Sequence, residues 1–148
     1  MSNVSETYIK NRHRVQPTHT NNYASAHGGT VVKWMDEVGA MSAMRHAGET
    51  CVTAKINALD FKRPIPQGDT CLIESHAYAA GRTSIRVRLQ AFRESPRTGD
   101  REVTTESYFV FVAVDEAGTP TQVPELTVGG ERCRKLRDEA LAAEPDVN

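Results

Sequence analysis

The segment Ala26-His27-Gly28-Gly29-Thr30-Val31-Val32-Lys33-Trp34-Met35-Asp36-Glu37 carries two kinds of chemistry on one short run of chain. Paired glycines at a helix start let a ligand approach the backbone, and the unpaired N–H groups there carry partial positive charge, so they can hold an oxyanion. The plainer alternative is that Gly28 and Gly29 only form the turn into the helix. Asp36, seven residues past Gly29, offers a carboxylate for general-base or nucleophilic work. Most helix carboxylates are simply solvated. Aspartate is nevertheless a poor interior helix residue, and the small Gly39, Ala40 and Ala43 around it leave space for another backbone or a ligand. The run GGTVVKW lacks the glycine-lysine-hydroxyl ending of a phosphate loop. At ~1.5 Å per residue, the helix start and Asp36 lie ~10 Å apart, too far to act on one carbonyl carbon unless a second copy supplies one of them. The spacing therefore predicts a dimer with composite sites.

The elements that hold these groups are legible from periodicity. Residues 29–46 contain no proline, and Val31, Met35, Val38 and Ser42 fall on one line with Val32, Gly39 and Ala43 beside it, which predicts a helix that Gly48 stops. Its apolar arc, with Trp34 and Met41 at one end, covers about half the circumference, wider than a one-sided surface helix needs. A sheet wrapped around it explains that width. After Gly48 the period becomes two: Val52, Ala54, Ile56 and Ala58 alternate with Thr53, Lys55 and Asn57, and further strands are expected over residues 72–80, 84–91 and 103–114. Residues 8–15 are expected to form a first short strand, and residues 16–26 a loop. Turn chemistry separates the strands at residues 63–69, 81–82, 96–100 and 115–118. A long helix followed by four strands with short connections predicts an antiparallel meander covering that helix, an α+β domain over residues 1–128. Residues 129–148, charged and alanine-rich, are expected to be a polar tail, helical or disordered. Arg86 and Arg88 are expected on an exposed sheet face.

The 148 residues fit one domain, and a net charge of -1 argues against nucleic acid as the partner. Three cysteines far apart in sequence, with no paired spacing, read as reduced thiols of a cytoplasmic protein. No apolar run approaches the ~20 residues of a membrane span. His13, His19, His27, His46 and His76 show no metal-ligand spacing with cysteine or carboxylate, so no metal is expected, and no Gly-x-Ser-x-Gly elbow supports a serine triad. Trp34, Met35, Met41 and Met44 read as core or interface rather than as a cofactor box.

The pattern Thr20-Asn21, His27-Gly28-Gly29-Thr30, Met35-Asp36-Glu37, Asp60-Phe61-Lys62-Arg63-Pro64-Ile65 and Gly68-Asp69 resembles the hotdog-fold acyl-CoA thioesterases, above all the brain-type acyl-CoA hydrolases and their short bacterial relatives. Gly81-Arg82-Thr83-Ser84 before an alternating strand is similar to that family too, and the resemblance covers residues 15–124. It implies a long helix wrapped by a five- to six-stranded antiparallel sheet, dimers that pair into one longer sheet, often trimers of such dimers, and hydrolysis of a fatty acyl-CoA thioester with no metal or other cofactor. By the same resemblance the catalytic carboxylate falls on Asp36 and the catalytic asparagine on Asn21 of the facing subunit. Ser25 stands where the family often has Asn or Asp.

Physical roles follow for each group. Gly29 N–H is the best donor to a developing oxyanion, with Gly28 beside it. Asp36 acts as general base on a water or attacks directly to give an anhydride. Asn21 offers both a donor and an acceptor to orient the water or the carbonyl. For the phosphates of coenzyme A, Arg82 with Thr83 and Ser84 offers a guanidinium fork and hydroxyls, while Lys62 and Arg63 add charge. His27 either touches substrate or packs at the helix start. Two other readings remain on the same fold: a non-catalytic acyl-CoA sensor, and a hydratase or dehydratase of 2-enoyl thioesters.

Overall fold

The computed structural model describes residues 2–145. Two elements dominate: helix α1, Gly28–Ala47, and a five-stranded antiparallel sheet of β1 (Ile9–Arg14), β2 (Thr50–Phe61), β3 (Thr70–Ala80), β4 (Ser84–Glu94) and β5 (Arg101–Val114). The helix ends where expected. Gly48 takes the left-handed conformation (φ 70°), and its N–H donates to the Met44 carbonyl at 2.8 Å, a termination glycine adopts without a Cβ penalty. Val31, Met35 and Val38 press onto Ile73, Ile85, Val87, Leu89, Phe109 and Phe111 of the inner sheet face, all but fully buried. This one-sided packing of a broad apolar arc is the hotdog arrangement, with five strands.

Gly39 settles one expectation differently. A Cβ there would meet Leu89 and Phe111 side chains at 3.1 Å, so its small size serves close helix-to-sheet packing rather than a ligand. Met41 and Met44, at 36% and 38% exposure, lie outside the core.

The strand order, β1-β3-β4-β5-β2, corrects the simple meander. Only β3, β4 and β5 follow one another in space, while β2 lies at the far edge beside β5. The cause is the connection over residues 62–69. Pro64 and Pro66 cannot donate to a strand ladder, and Ala26 N–H to Ile65 O (2.7 Å) and Gln67 N–H to Ala24 O (2.9 Å) tie the segment to the loop before α1. The connection therefore crosses the N-terminal end of the helix instead of turning back along β2.

The alternation in β2 is also corrected. Cys51 and Thr53 face the helix, while Val52 is 47% exposed; a register shift between Thr53 and Lys55 then brings Ile56 round to the helix side, opposite Phe109. A bulge of this kind switches the face of every residue beyond it.

A second helix, α2 (Glu131–Ala143), accounts for most of the tail, whose residues 146–148 lie outside the described residues. Ala140 packs on Tyr78 and Tyr108 of the outer sheet face, and the Glu144 carboxylate just beyond the helix accepts from the Tyr78 hydroxyl and from Arg86 Nη1 at 2.8 Å. Arg88 is paired with Glu106 at 2.7 Å and is only 14% exposed. The two arginines thus lie on the outer face as expected, but half-covered and ion-paired, because the tail helix gives that face something to pack against. Among the described residues, no helix is long and apolar enough to cross a membrane.

His76, on the outer face of β3 beneath α2, predicts how the fold responds to acid. Burial drives its pKa from 6.5 down to about 4, only partly offset by a hydrogen bond to the Leu136 backbone; Arg88 lowers it further and Glu74 raises it. Between those values the unfolded chain binds a proton that the folded chain refuses. Stability should therefore fall as pH drops from about 6.5 to about 4, by roughly 3 kcal/mol from this residue, and level off below. Urea unfolding at a series of pH values checks this: His76→Gln should lose that component, and an unchanged pH slope would contradict it.

Candidate active site

A cleft of about 470 Å³ opens at the N-terminus of α1. Three segments build it: the loop before the helix (Asn21, Tyr23, Ser25, Ala26), the first turn of α1 (Gly28, Val31), and the end of β2 with the crossing connection (Phe61, Lys62, Arg63, Pro64, Ile65). Its floor is apolar, since Val31 and Ile65 are buried. The β2 edge and the displaced connection decide this geometry, because without them the helix start would face solvent.

Local chemistry fixes the loop. Asn21 Oδ1 accepts from Tyr23 N–H at 2.8 Å and from Ser25 N–H at 3.3 Å, an Asx turn that also accommodates Ala24 at φ 55°. The side-chain oxygen of Asn21 is thus committed to the loop. Its amide NH₂ has no partner among the described residues, so a donor rather than an acceptor is left for substrate. The turn presents Tyr23, 87% exposed, at the cleft mouth.

His27 occupies the N-cap without a side-chain cap bond; its N–H donates to His19 O at 2.7 Å, and its carbonyl accepts from Thr30 and Val31. The N–H groups of Gly28 and Gly29 have no acceptor among the described residues, as the first amides of a helix must unless something outside the helix supplies one. Phe61 lies close to Gly28, with its ring 3.5 Å from where a Cβ would stand, whereas the position of a Gly29 Cβ is open. Gly28 therefore permits a close approach of chain to chain, and Gly29 faces free space.

Asp36 sits two turns further along, half-buried, with its Oδ1 accepting a short hydrogen bond from the Thr53 hydroxyl of β2. Thr53 did not stand out in the sequence. Read by strict alternation it belongs with Lys55 and Asn57, and only the packing of β2 against α1 turns it toward the helix. A hydroxyl on an inward position next to a helix carboxylate orients that carboxylate and satisfies one of its lone pairs.

The structure does not bring every predicted residue together within one chain. The turn holding Arg82, Thr83 and Ser84 joins β3 to β4, where Ser84 pairs with Val112, whereas Phe61 at the cleft pairs with Thr105. Seven residues of β5 separate the two ends, ~23 Å at strand rise. Arg63 lines the cleft, but its Nη1 donates to Val103 O at 2.9 Å and its Nε lies 3.7 Å from Glu102. Its guanidinium thus braces the connection with one N–H while the side chain stays half-exposed.

Comparison with known proteins agrees with this architecture. A family described as the thioesterase superfamily matches residues 23–99. YkhA of Bacillus subtilis, an uncharacterized acyl-CoA thioester hydrolase, is 35% identical over 92% of this chain and 79% of its own length. Among solved structures, a hexameric acyl-CoA thioesterase is 36% identical with a TM-score of 0.85, covering 95% of this chain and 91% of that one. An acyl-CoA hydrolase from Staphylococcus aureus, solved with butyryl coenzyme A, coenzyme A and coenzyme A disulfide, is 31% identical with a TM-score of 0.85 over 96% of this chain and 86% of that one. That hydrolase has also been solved as three alanine mutants, of an asparagine, an aspartate and a threonine. By fold, by sequence and by the placing of its helix and sheet, the chain belongs to the thioesterase superfamily.

Proposed function

We propose that this chain hydrolyses acyl-CoA thioesters, releasing a free acid and coenzyme A, at a site made by two copies. The observation that carries the reading is the pairing of Asp36 with Thr53 on the free edge strand, two helical turns away from the amides of Gly28 and Gly29, which have no acceptor among the described residues. The three positions replaced by alanine in the Staphylococcus aureus hydrolase are spaced 15 and 17 residues apart, asparagine to aspartate to threonine, the spacings of Asn21, Asp36 and Thr53 here.

Geometry says how two copies would complete the site. β2 is an unpaired edge with Val52 and Ile56 exposed at 47% and 40%, an apolar edge of the kind that pairs with another strand. Antiparallel pairing about a two-fold axis near Asn57 sets Thr53 of each copy against Phe61 of the other. Asp36 of one copy then faces the Gly29 amide of its neighbour across the cleft, which removes the ~10 Å separation within a chain. The same operation swings Arg82, Thr83 and Ser84 of the second copy toward the cleft, where they add contacts to the nucleotide. Three such dimers would give the hexamer seen in related structures. The three cysteines are free thiols, which fits a reducing cytoplasm.

In the reaction the thioester carbonyl lies against the Gly29 N–H, with the Asn21 NH₂ as a second donor, and both strengthen as the oxygen gains charge in the tetrahedral transition state. Asp36, held by Thr53, takes the proton of an attacking water; the C–S bond then breaks and the coenzyme leaves as a thiol after protonation. Direct attack by the carboxylate on the carbonyl carbon, through an anhydride that water opens, uses the same placement.

Thiol release from a panel of acyl-CoAs tests the activity, and retention of ligand without thiol release would favour a sensor instead. Complementation tests the composite site. Asp36→Asn and Asn21→Ala should each be nearly inactive, yet unfolding and refolding the two variants together should restore about a quarter of the wild-type activity, since mixed dimers keep one intact site. No restoration would place both residues in one chain's site.

A further inference from the structure

We propose that His19 is a positioning residue, the side chain that sets the Asn21 amide against the first amides of α1; this rests on the hydrolase reading. The two donors offered to the oxyanion, Asn21 NH₂ and Gly29 N–H, belong to different segments. Their separation is therefore decided by how the loop docks on the helix. The loop has few side-chain anchors of its own: of residues 16–24, all but His19 and Thr20 are exposed. His19 closes a single 3₁₀ turn, Pro17–His19, and its ring meets the Trp34 ring of α1 nearly at right angles, with centroids 4.9 Å apart at 84°. Trp34 is buried, and His13 of β1 stacks flat on it at 4.5 Å, so the surface that receives His19 is itself fixed to the sheet.

The polar atoms of the residue fix it further. His19 Nδ1 accepts from Gln16 N–H at 2.9 Å, which holds the ring in one orientation and leaves the proton of the neutral imidazole on Nε2. The His19 carbonyl accepts from the N–H of His27, the N-cap of α1, at 2.7 Å, and Thr20 bridges to Ala26. The connection after β2 holds the far end of the loop through Ala24 and Ala26, so His19 is the tether at the near end. Asn21 follows two residues later, its N–H donating to Ser25 O at 2.9 Å, and a displaced ring would carry Asn21 with it. With Nδ1 given to Gln16 and the ring lying against Trp34, His19 acts through Asn21 rather than on the substrate.

A double-substitution cycle separates this role from a structural one. In the wild-type background His19→Ala should lower kcat for butyryl-CoA about 30-fold and change KM by less than about twofold, because a donor is misplaced while the substrate keeps its contacts. In the Asn21→Ala background the same substitution should cost less than about twofold, since the group it positions is already gone. His19→Asn, which keeps an acceptor for Gln16 N–H, and His19→Phe, which keeps a ring on Trp34, should each recover part of the loss. An equal loss in both backgrounds would overturn the assignment, as would an unchanged kcat in His19→Ala. Trp34, the one tryptophan of the chain, reports the contact without turnover: its emission should move to longer wavelength in His19→Ala and stay at the wild-type position in His19→Phe. If the wild type released no thiol, the hydrolase reading would fail, and the emission would still decide whether His19 holds the loop; an unshifted spectrum in His19→Ala would overturn that tether.

Discussion

Asp36→Asn is expected to reduce kcat by about 10³-fold while leaving the fold intact. The substitution keeps size, and it keeps an oxygen to accept from the Thr53 hydroxyl, so the helix and β2 should stay in contact. What it removes is the negative charge and the basic lone pair. A water then has no acceptor for its proton, or the carbonyl has no nucleophile. Circular dichroism and a melting curve close to wild type would confirm that the loss is chemical. Near wild-type turnover in a folded Asp36→Asn protein would end the proposed role. The two routes differ in a second measurement: in a single turnover with ¹⁸O-labelled water, direct attack leaves the label in the carboxylate of Asp36 or the product according to which anhydride carbonyl is opened, whereas general-base catalysis labels only the product. Thr53→Ala should fall between the two proteins, because the charge remains and only its orientation is lost.

The second large effect concerns an amide rather than a side chain. Gly29→Pro is expected to cost about 10² to 10³ in kcat, the loss typical of deleting one oxyanion donor. Proline is tolerated in the first turn of a helix, where the N–H has no intrahelical partner. The control is Gly29→Ala, which retains the N–H. A Cβ at this position meets nothing within 4 Å, and alanine favours the helix, so that variant should fold well and keep most of its activity. If alanine and proline lose activity equally, the effect is steric and arises in the cleft. If proline is as active as the wild type, the oxyanion is held elsewhere.

Several features were legible in the residues alone because they depend on neighbours in sequence. Helical spacing of Val31, Met35 and Val38 set the helix, and Gly48 set its end, since the left-handed conformation there is one that glycine adopts freely. Alternation located the strands, although their ends extend beyond the strongest pattern, to Thr50 and Phe61 in β2 for example. The fixed rise of a helix separates Gly29 from Asp36 and so calls for a second copy.

The tertiary structure decided everything that depends on which strand meets which. Local propensity cannot say that β2 leaves the meander for the far edge; that outcome comes from hydrogen bonds between residues 62–69 and a loop some forty residues earlier. Once β2 is there, Thr53 meets Asp36 and Phe61 meets Gly28; alternation sets Thr53 with Lys55 and Asn57, whereas its pairing opposite Phe111 puts it on the helix face, and the register shift beyond it changes the phase again. The same holds for charge. Arg63, Lys62 and Arg82 are equally basic as letters, yet Val103 and Glu102 engage the first, no carboxylate among the described residues pairs with the ammonium of the second, and the third stands at the opposite end of the sheet. Periodicity is a property of adjacent residues, whereas pairing, burial and the freedom of a charge are set by long-range packing.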